Sequence, residues 1–257
     1  MNLQEQWIAF TTILRKEIKR FTRIWIQTLL PPVITMTLYS VIFGKLIGTR
    51  IGDMGGFSYI QFVAPGLIMM AVLTNAYANV ASSFFSAKFQ RSVEEVLVSP
   101  TPNYVILLGY TMGGVVRGLC VGILVTFLAL IFTDSHMHSW LITLTIVLLT
   151  STLFSLAGFI NAVYANTFDD VSIVPTFILT PLTYLGGVFY SISVLPEIWQ
   201  HISLLNPILH MVNAFRYGVL GVTDINIVHA ILGLIAAVVV LFAISLHLLK
   251  TGKRLRA

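Results

Sequence analysis

The sequence predicts an all-α membrane protein with six transmembrane helices, an amphipathic N-terminal helix and a short helix between the second and third spans. Two observations carry this. Hydrophobic residues make up 57% of the 257 residues and charged ones only 10%, whereas soluble domains run at about 45–50% apolar and about 25% charged. The apolar residues also fall into runs long enough to cross a hydrocarbon core, which takes about 20 residues of helix. Such runs and their loops use up the length, so 1–257 is expected to be a single transmembrane domain. The single cysteine, Cys120, lies inside an apolar run and supports neither a disulfide framework nor a thiolate metal site.

Residues 1–23 read as an interfacial helix. At 100° per residue Trp7, Phe10, Leu14, Ile18 and Phe21 share one stripe, and Arg15, Lys16, Lys19, Arg20 and Arg23 fall opposite. Such a helix lies at the membrane surface with its cations toward anionic headgroups. Docking on a partner protein would use the same pattern. This charged leader precedes a full-length span, so no cleavable signal peptide is expected. The first span is expected at 24–46, with Pro31–Pro32 early in it, and the second at 59–81.

The polar stretch 82–103 holds a short helix. Ser92 and Glu95 have the spacing of a capping box. Val93, Val96 and Leu97 form an apolar face beside Glu94, and Pro100 and Pro102 end the helix. On spacing alone this is an ordinary capped loop helix. The third span, 104–132, carries Gly114, Gly118 and Gly122 four residues apart, a spacing that lets backbones approach closely in lipid. Arg117 sits among these glycines, and an arginine at that depth turns toward a bundle interior or a cavity. A snorkelling or structurally paired arginine and a substrate contact fit it equally well. The fourth span is expected at 140–164. His136 and His138 in the loop before it are too few for a metal site, and none is expected.

Around the next segment the pattern changes. Asp169 and Asp170 are followed by an apolar run, 171–190, broken by Pro175, Pro181 and Gly186–Gly187. Each proline removes a backbone donor and clashes with the preceding turn. In a membrane such breaks persist where neighbouring helices or a cavity satisfy the freed carbonyls. The segment reads as a broken span beside a path or a hinge, or as a kinked helix that only packs. Residues 191–224 are too interrupted to span and read as a re-entrant hairpin. A last span at 225–249 precedes Lys250, Lys253, Arg254 and Arg256.

Charge gives the orientation. The leader, the 82–103 loop and the tail hold most of the lysines and arginines, against Lys45, Arg50 and Arg216 on the other side. By the positive-inside rule both termini and that loop are cytoplasmic. The net charge of +5 is therefore read as membrane topology, with no nucleic-acid partner. Neither Gly44–Lys45 nor Gly252–Lys253 completes a phosphate-binding loop, and no catalytic constellation occurs. Transport then draws on a partner's energy or on an ion gradient. A stand-alone carrier or channel is the alternative, although its usual mid-membrane titratable group is lacking: Arg117 stays protonated.

Taken together, Phe168-Asp169-Asp170, Pro175, the run Pro181 to Tyr190 that includes Tyr184 and Gly186–Gly187, Leu195–Pro196, Asn206–Pro207 and Arg216 resemble the signature of ABC-2 type transport permeases. Length and span spacing extend the resemblance over nearly the whole chain. Ser191 departs from it, where many relatives carry proline. The resemblance implies an ABC-2, or type V exporter, fold in a bacterial inner membrane. It implies two copies of the chain forming a path with a separate cytoplasmic ATPase. ATP and magnesium would be held in that partner, with no cofactor in this chain. It also makes the helix over Ser92 to Leu97 the element that docks on the ATPase, and the signature residues part of the path or its hinge. Drugs, lipids and glycans are all substrates of such permeases.

Overall fold

The computed structural model describes residues 1–46, 48, 52–133 and 137–252. His136, Arg50, Lys253, Arg254 and Arg256 lie outside the described residues. Helix α1 (Leu3–Arg23) begins where the Glu5 carboxylate accepts the Asn2 N–H at 2.9 Å. After Ile24 the chain enters α2 (Trp25–Val41), which runs into a π-helical turn at Ile42–Leu46. A two-stranded hairpin follows, β1 (Asp53–Met54) and β2 (Phe57–Ser58). Gly55 and Gly56 form its turn with φ of 59° and 82°. Positive φ at both central residues matches the strand twist, and glycine adopts it without strain.

The remaining elements are α3 (Tyr59–Phe89), α4 (Ser92–Val98), α5 (Asn103–Thr133), α6 (Trp140–Tyr164), α7 (Phe168–Val174), a π turn (Pro175–Leu179), α8 (Thr180–Tyr184), a 3-10 turn (Ile192–Val194), α9 (Glu197–Leu204), α10 (Pro207–Leu220) and α11 (Ile227–Thr251). Among the described residues five helices are long and apolar enough to cross a membrane: Trp25–Gly44, α3, α5, α6 and α11. The run expected as a broken span at 171–190 is not one of them: it divides into α7, the π turn and α8. It still passes from one end of α3, where Phe168 packs on Phe85, to the other, where Tyr59 donates to the Phe189 carbonyl at 3.1 Å. Pro181 has no N–H to give, so the regular ladder cannot continue through it. The Thr180 hydroxyl instead donates to the Pro175 carbonyl at 2.9 Å.

Elsewhere one boundary shifts. Helix α3 runs through Phe89, well into the stretch read as loop from Ser82. The Ser82 hydroxyl donates to the Ala78 carbonyl at 2.7 Å, and Phe84 and Phe85 are buried, so polarity here marks a helix–helix contact. Within 191–224, the stretch read as a re-entrant hairpin, α10 is a core helix. Leu209, Met211, Val212, Ala214 and Phe215 are fully buried against α3 and α6. Asn206 starts that helix by accepting the Ile208 N–H at 3.0 Å, with Pro207 in its first turn, where no N–H is required.

Helix α3 is the axis of the bundle, packed by α5, α6 and α10, while α2 and α11 lie outside with largely exposed apolar faces. Lipid tails are as apolar as leucine, so these helices are held by close packing and polar contacts between them. The glycines show where. A Cβ on Gly158 of α6 would lie 2.5 Å from the Tyr77 carbonyl oxygen of α3. One on Gly114 would strike the Ser155 hydroxyl of α6, one on Gly118 would come 2.6 Å from that of Ser151, and one on Gly122 would lie 2.9 Å from Val72. The row on α5 thus packs inside one chain, against α3 and α6.

Candidate coupling and translocation elements

Signature residues from distant parts of the sequence meet in one buried clasp. Gly187 has φ of 66°, and its carbonyl accepts from Arg216 Nη2 at 2.7 Å. The same guanidinium donates through Nε to the Phe62 carbonyl at 3.2 Å, and its Cζ lies 3.9 Å from the centre of the Phe62 ring. Arg216 is only 1% exposed. Asn206 donates to the Leu182 carbonyl at 2.6 Å, and a Cβ on Gly186 would lie 2.7 Å from Ile208. Tyr190 donates to the Tyr184 carbonyl at 2.9 Å. The chain after α8 is thereby tied to both α3 and α10. Beside Ser191, where the pattern departs from proline, the hydroxyl donates to Asp224 at 2.8 Å, a bond that proline could not make.

The N-terminal half of the signature is a helix start. Thr167 accepts the Asp170 N–H at 3.2 Å, and the Asp170 carboxylate accepts the N–H groups of Asn166 and Thr167 at 2.8 and 3.1 Å. These bonds, Asn166 first, hold the Asp170 carboxyl below its ordinary range. Asp169 is exposed. Phe168 packs edge-on against Phe85, ring centres 4.9 Å apart, and fixes α7 to the end of α3. Pro175 opens the π turn and Pro181 lies in α8.

Helix α4 differs from the spacing argument. Its cap is Arg91, in the left-handed region at φ 59°, and Ser92 is the first helical residue. The Ser92 hydroxyl donates backward to the Ala87 carbonyl at 3.2 Å, so no box with Glu95 forms. A reversal of only two residues between α3 and α4 takes up the position the capping serine would need. Val93 is buried, and Val96 and Leu97 pack half-buried on the same apolar cluster as Phe84, Tyr110 and Phe159. The apolar face expected to enter a partner is thus covered by the chain itself. Ser92, Glu95 and Val98 face out, Val98 at 84% exposure, with Glu94 partly covered.

Arg117 is 9% exposed, and its Nε and Nη2 donate to the Asn75 carboxamide at 3.2 and 3.0 Å. It lines a cavity of about 320 Å³ between α2, α3 and α5.

With these elements in view, the chain was compared with known proteins. The model of the ABC-2 type transporter family matches residues 8–220. The chain belongs to the ABC-2 type transporter family. It is 59% identical over 251 residues to the inner membrane transport permease YadH of Escherichia coli K12, covering 98% of each chain. The corresponding permease of Shigella flexneri matches equally. Nodulation protein J of Rhizobium leguminosarum bv. viciae is 23% identical over 245 residues, 95% of this chain and 93% of its own.

The sequence reading of this ABC-2 chain missed a polar cluster on α1. Glu17 is fully buried and accepts from Ser83 at 2.6 Å, with Arg20 Nε 3.5 Å from its other oxygen. Arg20 Nη2 donates to both the carbonyl and the side chain of Asn79, at 2.7 and 2.8 Å. Lys16 donates to the Tyr110 hydroxyl at 3.2 Å. A Cβ on Gly113 would lie 2.5 Å from Glu17. The signal was available: Asn75, Asn79, Ser82 and Ser83 form one polar stripe on α3 at helical spacing.

Proposed function

We propose that this chain is the membrane-spanning permease subunit of an ATP-driven exporter of the bacterial inner membrane. Two copies would form the path and a separate cytoplasmic ATPase would supply the energy, binding ATP and magnesium. Both termini and α4 face the cytoplasm in this reading. Membership of the ABC-2 family supports it, as does the name inner membrane transport permease carried by its relatives at 59% identity. The observation that carries it is α4 itself. This short helix joins two long apolar helices, is braced from behind by its own cluster, and offers Glu95 and Val98 outward. Force on such a helix passes to α3 and α5 together. ATP-driven closure of the ATPases would rock the two membrane halves through it.

Changing Glu95→Lys with Val98→Asp reverses a rim charge and places a charge on the outward apolar residue. Rim charges set register and a buried apolar contact gives affinity. The chain is expected to insert and extract normally while the ATPase subunit no longer co-purifies. Ser92→Ala is expected to change little, since that hydroxyl caps no helix start. Undiminished recovery of the ATPase with the Glu95/Val98 variant would move the docking surface elsewhere, and transport without any ATPase would establish a stand-alone carrier.

Topology is checked separately. In a Cys120→Ala background, a cysteine at Leu205 (86% exposed) is expected to react with an impermeant thiol reagent in intact cells, and one at Val98 only after permeabilisation. The opposite pattern would invert the orientation.

A further inference from the structure

The cavity at Arg117 has the chemistry of a binding site. Its guanidinium is nearly buried, and among the described residues no carboxylate pairs with it, the ion pairs there being those of Glu17 with Lys16 and Arg20. Asn75 accepts two of its five N–H groups and is itself anchored, donating to the Ala71 carbonyl at 3.0 Å. The remaining donors are left for another acceptor. A cation within a span is costly until it is paired. Gln27, Thr28, Thr35 and Thr74 add hydroxyl and amide groups to the walls, while Met36, Leu67 and other apolar side chains make up the rest.

A second cavity, about 730 Å³, opens on α1 and is lined by Arg15, Lys16, Lys19, Arg20 and Arg23. Between the two runs a line of hydrogen-bonded side chains along α3. Arg20 holds Asn79, and one turn further Asn75 holds Arg117. Among the described residues, Glu17 is the carboxylate paired with this row. The row therefore keeps a positive potential from the basic surface inward, and both the apolar walls and the final guanidinium lie at its inner end.

We propose that the Arg117 cavity binds the anionic head of an amphiphile, a carboxylate or phosphate on an apolar chain, admitted through the basic cleft on α1. A guanidinium matches either oxyanion with charge-assisted hydrogen bonds, and the apolar walls take the first part of the tail. This names a substrate class for the exporter proposed above and rests on that reading.

The test reads binding at the cavity without ATPase or transport. The full chain, with Cys120→Ala and either Thr74→Cys or Gln27→Cys on facing walls, is placed in phosphatidylcholine nanodiscs, and its reaction with N-ethylmaleimide is timed. Laurate is expected to slow the reaction, while methyl laurate and inorganic phosphate are not. Arg117→Gln is expected to weaken protection by laurate about tenfold, the loss of one charge-assisted hydrogen bond. Arg117→Lys, which keeps the charge, is expected to retain part of it and serves if the glutamine variant does not fold. Equal protection by methyl laurate, protection by inorganic phosphate alone, absence of protection by laurate, or full protection in Arg117→Gln would each overturn the proposal. The exporter reading would survive any of these, since loss of the ATPase partner is what refutes it.

Discussion

Replacing Gly158 with leucine is expected to abolish recovery of folded chain. The first added carbon already falls 2.5 Å from the Tyr77 carbonyl oxygen and 3.2 Å from the Ala81 nitrogen. Both are backbone atoms of α3 and cannot turn aside as a side chain could. Helix α3 cannot withdraw either, because α5 and α10 pack on its other sides. Overpacking a core costs about 1–3 kcal/mol where side chains can adjust. Here a helix axis must move, and the whole domain is held by only about 5–15 kcal/mol. Gly158→Ala is expected to fold with a lowered Tm. The control is Gly233→Leu on α11, where an added Cβ meets nothing within 4 Å. The measurement is the yield of monodisperse chain after detergent extraction. Equal yield for Gly158→Leu and Gly233→Leu would mean that α3 and α6 are not in contact at this point.

The second large effect belongs to Arg216→Met. Methionine fills much of the space and keeps the contact with Phe62, but it donates nothing. The carbonyls of Gly187 and Phe62 would each lose a charged donor inside a buried site. An orphaned buried polar group costs about 1–3 kcal/mol, and more where its partner was charged, so a loss of about 3 kcal/mol or more in unfolding free energy is expected. Arg216→Lys keeps the charge but has a single donor nitrogen that cannot span both carbonyls, and is expected to recover less than half. Thermal unfolding of the purified variants reads this directly. The segment 185–190 is also expected to become open to limited proteolysis, because Gly187 is the residue released. A methionine variant as stable as the parent would reduce the clasp to incidental contacts.

Much of the fold was legible because span length and composition leave few choices. The expected 140–164 coincides with α6, and 104–132 differs from α5 by one residue at each end. What pattern could not show is which polar residues face protein. Ser82 and Ser83 read as the start of a loop, yet they sit inside α3 because Arg20 and Glu17 of α1 supply their partners. Glu17 was hidden by the same logic, one carboxylate among many basic residues, buried where Arg15, Lys16 and Lys19 are exposed. Spacing found the glycine row of α5, but Gly158, a lone glycine, carries no periodic signal and still marks a close backbone approach of α6 to α3. At the candidate sites, residue types identified α4 and the clasp as elements. They could not tell that Val96 and Leu97 are used within the chain and that Val98 is the residue left over. That depends on the two-residue reversal at Arg91, which rotates α4 relative to the end of α3.

The docking of α1 has a consequence for how the chain is made. This helix is made before α3 and α5, the helices it binds. Its buried Glu17 needs the Ser83 hydroxyl of α3 and the bare backbone at Gly113 of α5, and Arg20 needs Asn79. A carboxylate cannot wait in hydrocarbon for such partners, so α1 waits on the membrane surface, held there by its cations and by Leu3, Trp7 and Ile8, which stay exposed after docking. It seats only once α3 and α5 have come together. A segment made before α3 and α5 thus completes their assembly, and its seating reports that the two helices it bridges are in register.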